Sequence, residues 1–482
     1  MTATPLVQSE SVLQPLGRGL VTALYASAKA IKFYPLENAT VQNALDQLER
    51  LVRRVLDLEG AIHLRLVGDF LFLNEARLRL DLTDYVSTSY VNAMLRRHGI
   101  GQIDIENGLR REHIVPVLSL LVEQAAGGDI AFEQFLARME QSPARFVDVH
   151  PIRDVADDLG VEADDRAKEA AKVTYFQSVH VAREVLIDAR LGRAVNLRRV
   201  KRSVQAIVDQ VLNNETSILG MTTLRDYDEY TFTHSVNVCI FSVVIGQRLG
   251  LTKLQLYELG LGALFHDIGK QRIDATIVTK SSGLTSDEWL ALQRHPTEGL
   301  LSLFWMRGLA DVPYRAMLIA YEHHMKIDQT GYPRSRRPRQ PTLFSRIVAT
   351  ADGFDAATSK RSYQSQPWTP DEVLRVMRDE PRRGFDPLLV KAMMNATGVF
   401  PPGTLAILDT FELAVVTARN PDMRKVHQPI AKIICDPMGL MMAEPITADL
   451  SDLDPATGRA KRTIIKTVDP DRFGIRVSDY FV

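Results

Sequence analysis

The stretch Leu264-Phe265-His266-Asp267-Ile268-Gly269-Lys270 closes an apolar run and sets a histidine beside an aspartate, with glycine and lysine following. Taken alone, the pair reads first as the polar end of a helix, where glycine and basic side chains gather. Its meaning depends on the other histidines. Of 11 in the chain, five fall between His234 and His324: His234, His266, His295, His323 and His324. Asp352 extends the series, and the gaps from one landmark to the next are 32, 29, 28 and 29 residues. Successive antiparallel helices with their connections return the chain to one end of a bundle at intervals of this kind. Local patterns support the helices. Thr285 and Glu288 form a capping box ahead of His295, Leu254, Tyr257, Leu261 and Leu264 make an apolar stripe leading to His266, and Ile347, Ala351 and Phe354 do the same around Asp352.

Five imidazoles and two carboxylates are more ligands than one tetrahedral ion needs. Imidazole suits iron, manganese, zinc or nickel, and a carboxylate can bridge two such ions, so the set points to a binuclear centre. Lys270, one turn beyond the pair, is placed to hold a phosphate oxygen.

Composition excludes several alternatives. The 482 residues suggest two to four domains at roughly 100–200 residues each. A hydrophobic share of 45% and a charged share of 24% are those of an ordinary globular protein. The net charge of -1 argues against a nucleic-acid polymer as partner. Cys239 and Cys435, the only two cysteines, form neither a disulfide framework nor a zinc motif, which fits a reducing cytoplasm. The first twenty residues lack the pattern of a secretory signal, and no run of about 18 apolar residues predicts membrane insertion.

The pattern along the chain predicts a multidomain, mainly α protein: a central helical bundle with an N-terminal α+β domain and a small C-terminal β module. Residues 11–58 read as helix broken near Tyr34-Pro35. Residues 62–80 read as three short antiparallel strands with turns at Gly68-Asp69 and Asn74-Glu75. A helix stopping before Gly99, a strand over 102–106 and a helix over about 109–124 complete a domain at 1–126, read as a regulatory or dimerisation module. Residues 127–165 are acidic and read as a linker, residues 166–382 as the helical domain, and 383–482 as an extension ending in β-like runs that include "FGIRVSDYFV".

Residues 225–380 resemble an HD-GYP domain. The matches are His234 in "HSVNV", "HDIGK" at 266–270, His295-Pro296 followed by Gly299, His323-His324, Gly331-Tyr332-Pro333, Asp352, and "DAATSKRSY" at 355–363. Residues 384–408 also resemble the tail that follows such domains. The resemblance implies a metal-dependent phosphodiesterase that hydrolyses cyclic di-GMP, or a related cyclic dinucleotide, to linear products by means of a metal-bridging hydroxide. It also implies two divalent transition-metal ions, iron or manganese first and zinc or nickel as alternatives. His234, His266, Asp267 and Asp352 would hold one ion, and His295, His323 and His324 the other, with Asp267 bridging. Lys270 and Arg361 would clamp the scissile phosphate, and Gly331, Tyr332 and Pro333 would shape the substrate wall. The run Arg334, Arg336, Arg337 and Arg339 is either a further substrate contact or a solvated loop.

Four departures from the family pattern stand out: Met325 where a glutamate is expected, Gln329 for glycine, Tyr230 for the glutamate of three-metal members, and Gln364 for a basic residue. None removes a ligand of the two-metal set. They leave a second reading open, a weak or silent signalling protein that binds a cyclic dinucleotide or a partner protein. Hydrolysis of another phosphate ester is a third. A homodimer and signalling partners are expected, in the cytoplasm.

Overall fold

The structure, a computed structural model, describes residues 5–67, 70–74, 76–78, 84–123, 131–152, 163–193, 195–224, 230–280, 282–306, 314–334, 337, 339–359 and 368–481. Arg361, Gln364, Arg336 and the turn pair Gly68-Asp69 lie outside them. The chain divides into two compact units, Met1–Glu162 and Ala163–Val482.

The first unit opens with α1 (Pro5–Phe33) and α2 (Ala39–Glu59), separated where Pro35 interrupts the pattern. Asn38 caps α2 by accepting from the Thr40 N–H, and Gly60 ends it in the left-handed region at φ 80°. Val41, Leu45, Leu48, Val52, Val55 and Leu56 recur at helical spacing and are buried. The strands are β1 (Ala61–Val67), β2 (Phe70–Leu73) and β3 (Ala76–Arg77), then β4 (Ile100–Glu106) and β5 (Val147–Pro151). Between them lie α3 (Tyr85–Arg97), α4 (Arg111–Val122) and α5 (Ala131–Glu140). The antiparallel sheet runs β3-β2-β1-β4-β5. Along β1 the buried Ile62, Leu64 and Leu66 alternate with His63 and Arg65. On the other face Asp104 ties three strands together. It accepts from His63 Nδ1 at 2.8 Å, His150 Nε2 at 2.8 Å and Gln102 Nε2 at 2.7 Å.

Residues 131–151 correct the expected linker. They hold α5 and β5, and β5 pairs with β4 as the fifth strand of the sheet. Only five residues long, β5 offers too little alternation to stand out from its polar surroundings.

The second unit begins with α6 (Ala163–Arg190) and α7 (Leu197–Met221). Next come α8 (Tyr230–Arg248), α9 (Lys253–Phe265), a 3-10 turn (Ile268–Arg272), α10 (Ala275–Val278), α11 (Ser286–Leu292) and α12 (His295–Trp305). They are followed by α13 (Tyr314–Glu322), α14 (Leu343–Thr358), α15 (Pro370–Asp379) and α16 (Pro387–Thr397). Helix α8 is buried on nearly every side through Val236, Val238, Ile240, Val243, Val244 and Ile245, as a helix apolar all round must be. In α9 the expected stripe is displaced. Leu254 is exposed and Tyr257 half-buried, while Leu256, Leu259, Leu261 and Leu264 carry the packing. Thr285 and Glu288 form the capping box of α11.

A second antiparallel sheet ends the unit: β6 (Leu405–Leu408), β7 (Leu413–Ala418), β8 (Ile430–Cys435), β9 (Met441–Asp449) and β10 (Ile464–Val468), ordered β10-β6-β7-β8-β9. Its small core is Leu408, Ala414, Ala431, Ile433 and Leu450. The final stretch, read as β-like, forms two 3-10 turns instead (Pro470–Phe473 and Val477–Tyr480), the first capped by Asp469. No helix among the described residues is long and apolar enough to cross a membrane.

Candidate metal centre

Seven side chains singled out by spacing, His234, His266, Asp267, His295, His323, His324 and Asp352, converge in the second unit. His234 lies in the first turns of α8 and Asp352 in the middle of α14. The others sit at junctions: His266 caps α9, Asp267 caps the 3-10 turn, His295 opens α12, and His323-His324 follow α13. Two glycines allow the close approach. A Cβ on Gly269 would stand 1.9 Å from the His295 carbonyl, so only glycine lets α12 rest on the turn that holds Asp267. A Cβ on Gly331 would lie 2.1 Å from the His324 carbonyl, where the loop folds back and the Tyr332 N–H donates to that oxygen at 3.2 Å.

The imidazoles are oriented by their far nitrogens. Nδ1 of His266 donates to Ala263 O at 2.7 Å, that of His295 to Leu292 O at 2.7 Å, and that of His323 to Ala320 O at 2.9 Å. Each acceptor is a carbonyl near the end of the helix just completed, where the helical ladder runs out. A carbonyl only accepts, so each Nδ1 carries a proton and each ring turns its Nε2 inward. His234 Nδ1 donates instead to Asp355 Oδ2 at 2.8 Å.

Asp267 sits at the centre, and its two oxygens divide the ring of nitrogens. Oδ2 lies 3.3 Å from His266 Nε2 and 3.7 Å from His234 Nε2. Oδ1 lies 3.5 Å from His295 Nε2 and 3.7 Å from His323 Nε2. Asp352 Oδ1 closes the first set at 3.3 Å from His234 Nε2, and His324 borders the second, its ring 4.1 Å from that of His323. Donors about 2.0–2.2 Å from one tetrahedral ion stand roughly 3.3–3.6 Å apart, close to the separations of 3.3 to 3.7 Å in the two sets. Two groups could therefore hold an ion, one of His234, His266 and Asp267, the other of Asp267, His295, His323 and His324. Buried His266 Nε2 and Asp267 Oδ1 make no hydrogen bond, as expected of atoms arranged for a cation.

Electrostatics agree. Burial works against ionising Asp267 and Asp352, yet Lys270 and His266 hold the first, and His234 and His266 the second, well below the usual carboxylate range. Burial pushes His295 down to about 3 and His324 well below its ordinary value, keeping both neutral. For His234 burial is outweighed by Asp352 and Asp355, which raise it to about 9. Lys270 Nζ bonds Asp267 Oδ2.

The centre forms the floor of a cleft of about 850 Å³. Lys270, Lys280, Lys326 and Arg383 line it, together with Met325, Trp289 and Tyr332. The Tyr332 ring lies 4.7 Å from that of His324 and 6.0 Å from that of Trp289. Within the basic run, Arg339 pairs with the carboxylate of buried Glu322, which also accepts from the Ser345 hydroxyl, so this arginine serves the fold. Arg334 and Arg337 are exposed. Gln329, in the place where glycine is expected, has a φ of 65°. Sequence reasoning gave no role to Asp355 or Asn237. The signal was available, since Asp352 and Asp355 are three apart and share a helix face.

A helical bundle that gathers a His-Asp pair, further histidines and a distant aspartate around one cleft defines an HD-type domain. The HD domain family matches residues 211–389. The chain is 33% identical over 276 residues to a cyclic di-GMP phosphodiesterase of Pseudomonas aeruginosa, covering 57% of this chain and 63% of that one. It is 35% identical over 222 residues to a cyclic di-GMP phosphodiesterase response regulator of Xanthomonas campestris pv. campestris (42% and 57% covered). Over 173 residues it is 31% identical to a 3'3'-cGAMP-specific phosphodiesterase of Vibrio cholerae (36% and 36% covered). The chain thus spans less than two thirds of each of these relatives. Residues 211–389 thus carry an HD domain.

Proposed function

We propose that the chain is a metal-dependent phosphodiesterase that hydrolyses a cyclic dinucleotide, cyclic di-GMP first, to linear products. The observation that carries this reading is the position of Asp267, whose two oxygens face separate sets of inward-turned imidazoles in the floor of a cationic cleft. His234, His266, Asp267 and Asp352 would hold one ion; His295, His323 and His324, with Asp267 shared, would hold the other. All donors are imidazole or carboxylate, a set that suits iron or manganese first, with zinc or nickel as alternatives. Neither cysteine lines the cleft, and burial pushes the Cys239 thiol up to about 12. Bound metal would supply Lewis acidity and a water of lowered pKa.

The protein's own groups do the rest. Lys270, anchored on Asp267, offers a cation where phosphate charge develops, and Lys326 and Arg383 extend that field along the cleft. Arg361 remains proposed as a second phosphate clamp. Tyr332 and Trp289 present aromatic faces on which bases stack, and Gly331 with Pro333 shapes the loop beside them.

The test incubates the full chain, loaded anaerobically with Mn²⁺ or Fe²⁺, with cyclic di-GMP, 3'3'-cGAMP and bis(p-nitrophenyl) phosphate, followed by chromatography of the products. Linear dinucleotide or mononucleotide is the expected product. Tight cyclic dinucleotide binding without consumption would establish the silent alternative that Met325 favours, since a thioether in the cleft wall can neither orient an imidazole nor bind a cation strongly. Consumption of the nitrophenyl ester alone would reject both.

A further inference from the structure

Behind His234 runs a buried polar chain that crosses three helices. Tyr175 on α6 is fully buried, and its hydroxyl donates to Asn237 Oδ1 at 2.9 Å, the nearer of two acceptors, with Leu224 O at 3.4 Å. Asn237, on α8, donates through Nδ2 to Asp355 Oδ1 at 3.0 Å and to Thr222 O at 3.3 Å. Asp355, on α14 and fully buried, accepts from His234 Nδ1 at 2.8 Å. The polarity of every link is fixed. The carboxylate and the Thr222 carbonyl only accept, so the amide nitrogen must face them and its oxygen must face Tyr175. The tyrosine hydroxyl must then donate. With one carboxylate oxygen taken by Asn237, the other is aimed at His234 and holds its ring with Nδ1 protonated and Nε2 turned toward Asp267 and Asp352.

Tyr175 lies outside residues 211–389, the segment matched as an HD domain. Nothing in its immediate sequence, "KVTYFQSV", marks it as part of a site. Its hydroxyl is spent inside an apolar interface, where Phe176 and Val179 beside it are buried. A phenylalanine would fill that space but leave buried Asn237 Oδ1 without its donor.

We infer that Tyr175, Asn237 and Asp355 are positioning residues that fix the aim of the His234 ring, so that α6 is coupled to the metal centre through Tyr175. Groups that hold a ligand imidazole from behind set its orientation and basicity, and their loss weakens metal binding by roughly 10- to 100-fold. Tyr175 acts two links further back, so its own effect should be about 3- to 10-fold. The consequence for metal rests on the metal-centre reading above; the orientation of His234 does not.

The experiment compares wild type, Tyr175→Phe and Ser178→Ala in the full chain. Ser178 is the control because it lies on the same helix and shares a buried 2.9 Å hydroxyl bond with Ser203, with no link to His234. Each protein, ¹⁵N-labelled at histidine and free of metal, is examined by NMR for the Nδ1–H of His234 and its exchange with solvent. Each is then titrated with Mn²⁺. Tyr175→Phe should speed exchange at His234 and weaken Mn²⁺ binding by about 3- to 10-fold, while Ser178→Ala leaves both unchanged. Equal effects from the two variants, or an unchanged His234 resonance in Tyr175→Phe, would overturn the inference. The metal-free measurement gives this answer whether or not the protein cleaves a cyclic dinucleotide.

Discussion

Asp267→Asn isolates the role of the central carboxylate, because the amide keeps its shape and removes its charge. In the structure each oxygen faces a different set of imidazoles, Oδ2 at 3.3 Å from His266 Nε2 and Oδ1 at 3.5 Å from His295 Nε2. Half a carboxylate charge against each divalent ion amounts to one unit-charge pair, worth about 8 kcal/mol at ~2.1 Å and an effective dielectric near 20. Most of this is returned, since the variant no longer buries an anion. About 2–3 kcal/mol remains for each ion, or roughly a 30- to 150-fold loss of affinity. Metal-free wild type and variant would be titrated with Mn²⁺, with the free ion followed by electron paramagnetic resonance and folding checked by thermal melts. Two weakened sites are expected. If one ion bound as in wild type, Asp267 would not be shared, and the division of ligands between its two oxygens would be wrong.

Four other outcomes follow from the geometry. Lys270→Ala should keep or raise Mn²⁺ occupancy, because Nζ and a metal compete for Asp267 Oδ2, while cyclic di-GMP turnover falls by roughly 10²-fold; loss of metal would contradict this. Gly331→Ala places a Cβ 2.1 Å from a backbone carbonyl and should cost about 1–3 kcal/mol in chemical denaturation, so wild-type stability would refute the close approach. Met325→Glu should raise metal affinity or turnover by roughly 10-fold if the carboxylate reaches a ligand imidazole. Loss of both in the same assays would show that the cleft has adapted to methionine. Burial raises the Asp104 pKa, but its bonds to His63, Gln102 and His150 outweigh this and hold it below its ordinary value. Its stabilisation is therefore complete above the unfolded pKa of about 3.9 and is lost as pH falls through the folded value. Asp104→Asn should cost about 1 kcal/mol at pH 7 and progressively less as pH falls through the folded value, read from melts across pH.

Much of the centre was legible because its residues recur at intervals set by helix length. His234, His266, His295, His323 and Asp352 are spaced by helices, and helices have a regular rise. Asp355 and Asn237 were not, since a carboxylate and an amide on buried helices look like any other polar residues until the partner helix is in place. Tyr175 was hidden further, because the contact joins residues 62 apart in the chain. Among the strands, β9 escaped because it carries Pro445 and lies at a sheet edge with little alternation in burial. The final stretch misled in the opposite direction. Its Ile475, Val477, Tyr480 and Phe481 are strand-formers by composition, but Asp469 and Gly474 bound a 3-10 turn ahead of them.

His266, His295 and His323 each close the end of the helix before them through Nδ1, while Nε2 faces the centre. One residue thus answers to two selective demands. In a lineage without the proposed activity, Lys270 and Tyr332 would be free to drift, while the three histidines would still bond the carbonyls at their helix ends. Such a descendant would keep the histidine signature without the proposed activity. Intact histidines in a sequence of this type therefore count folded domains; the residues that touch only the substrate tell which of them still work.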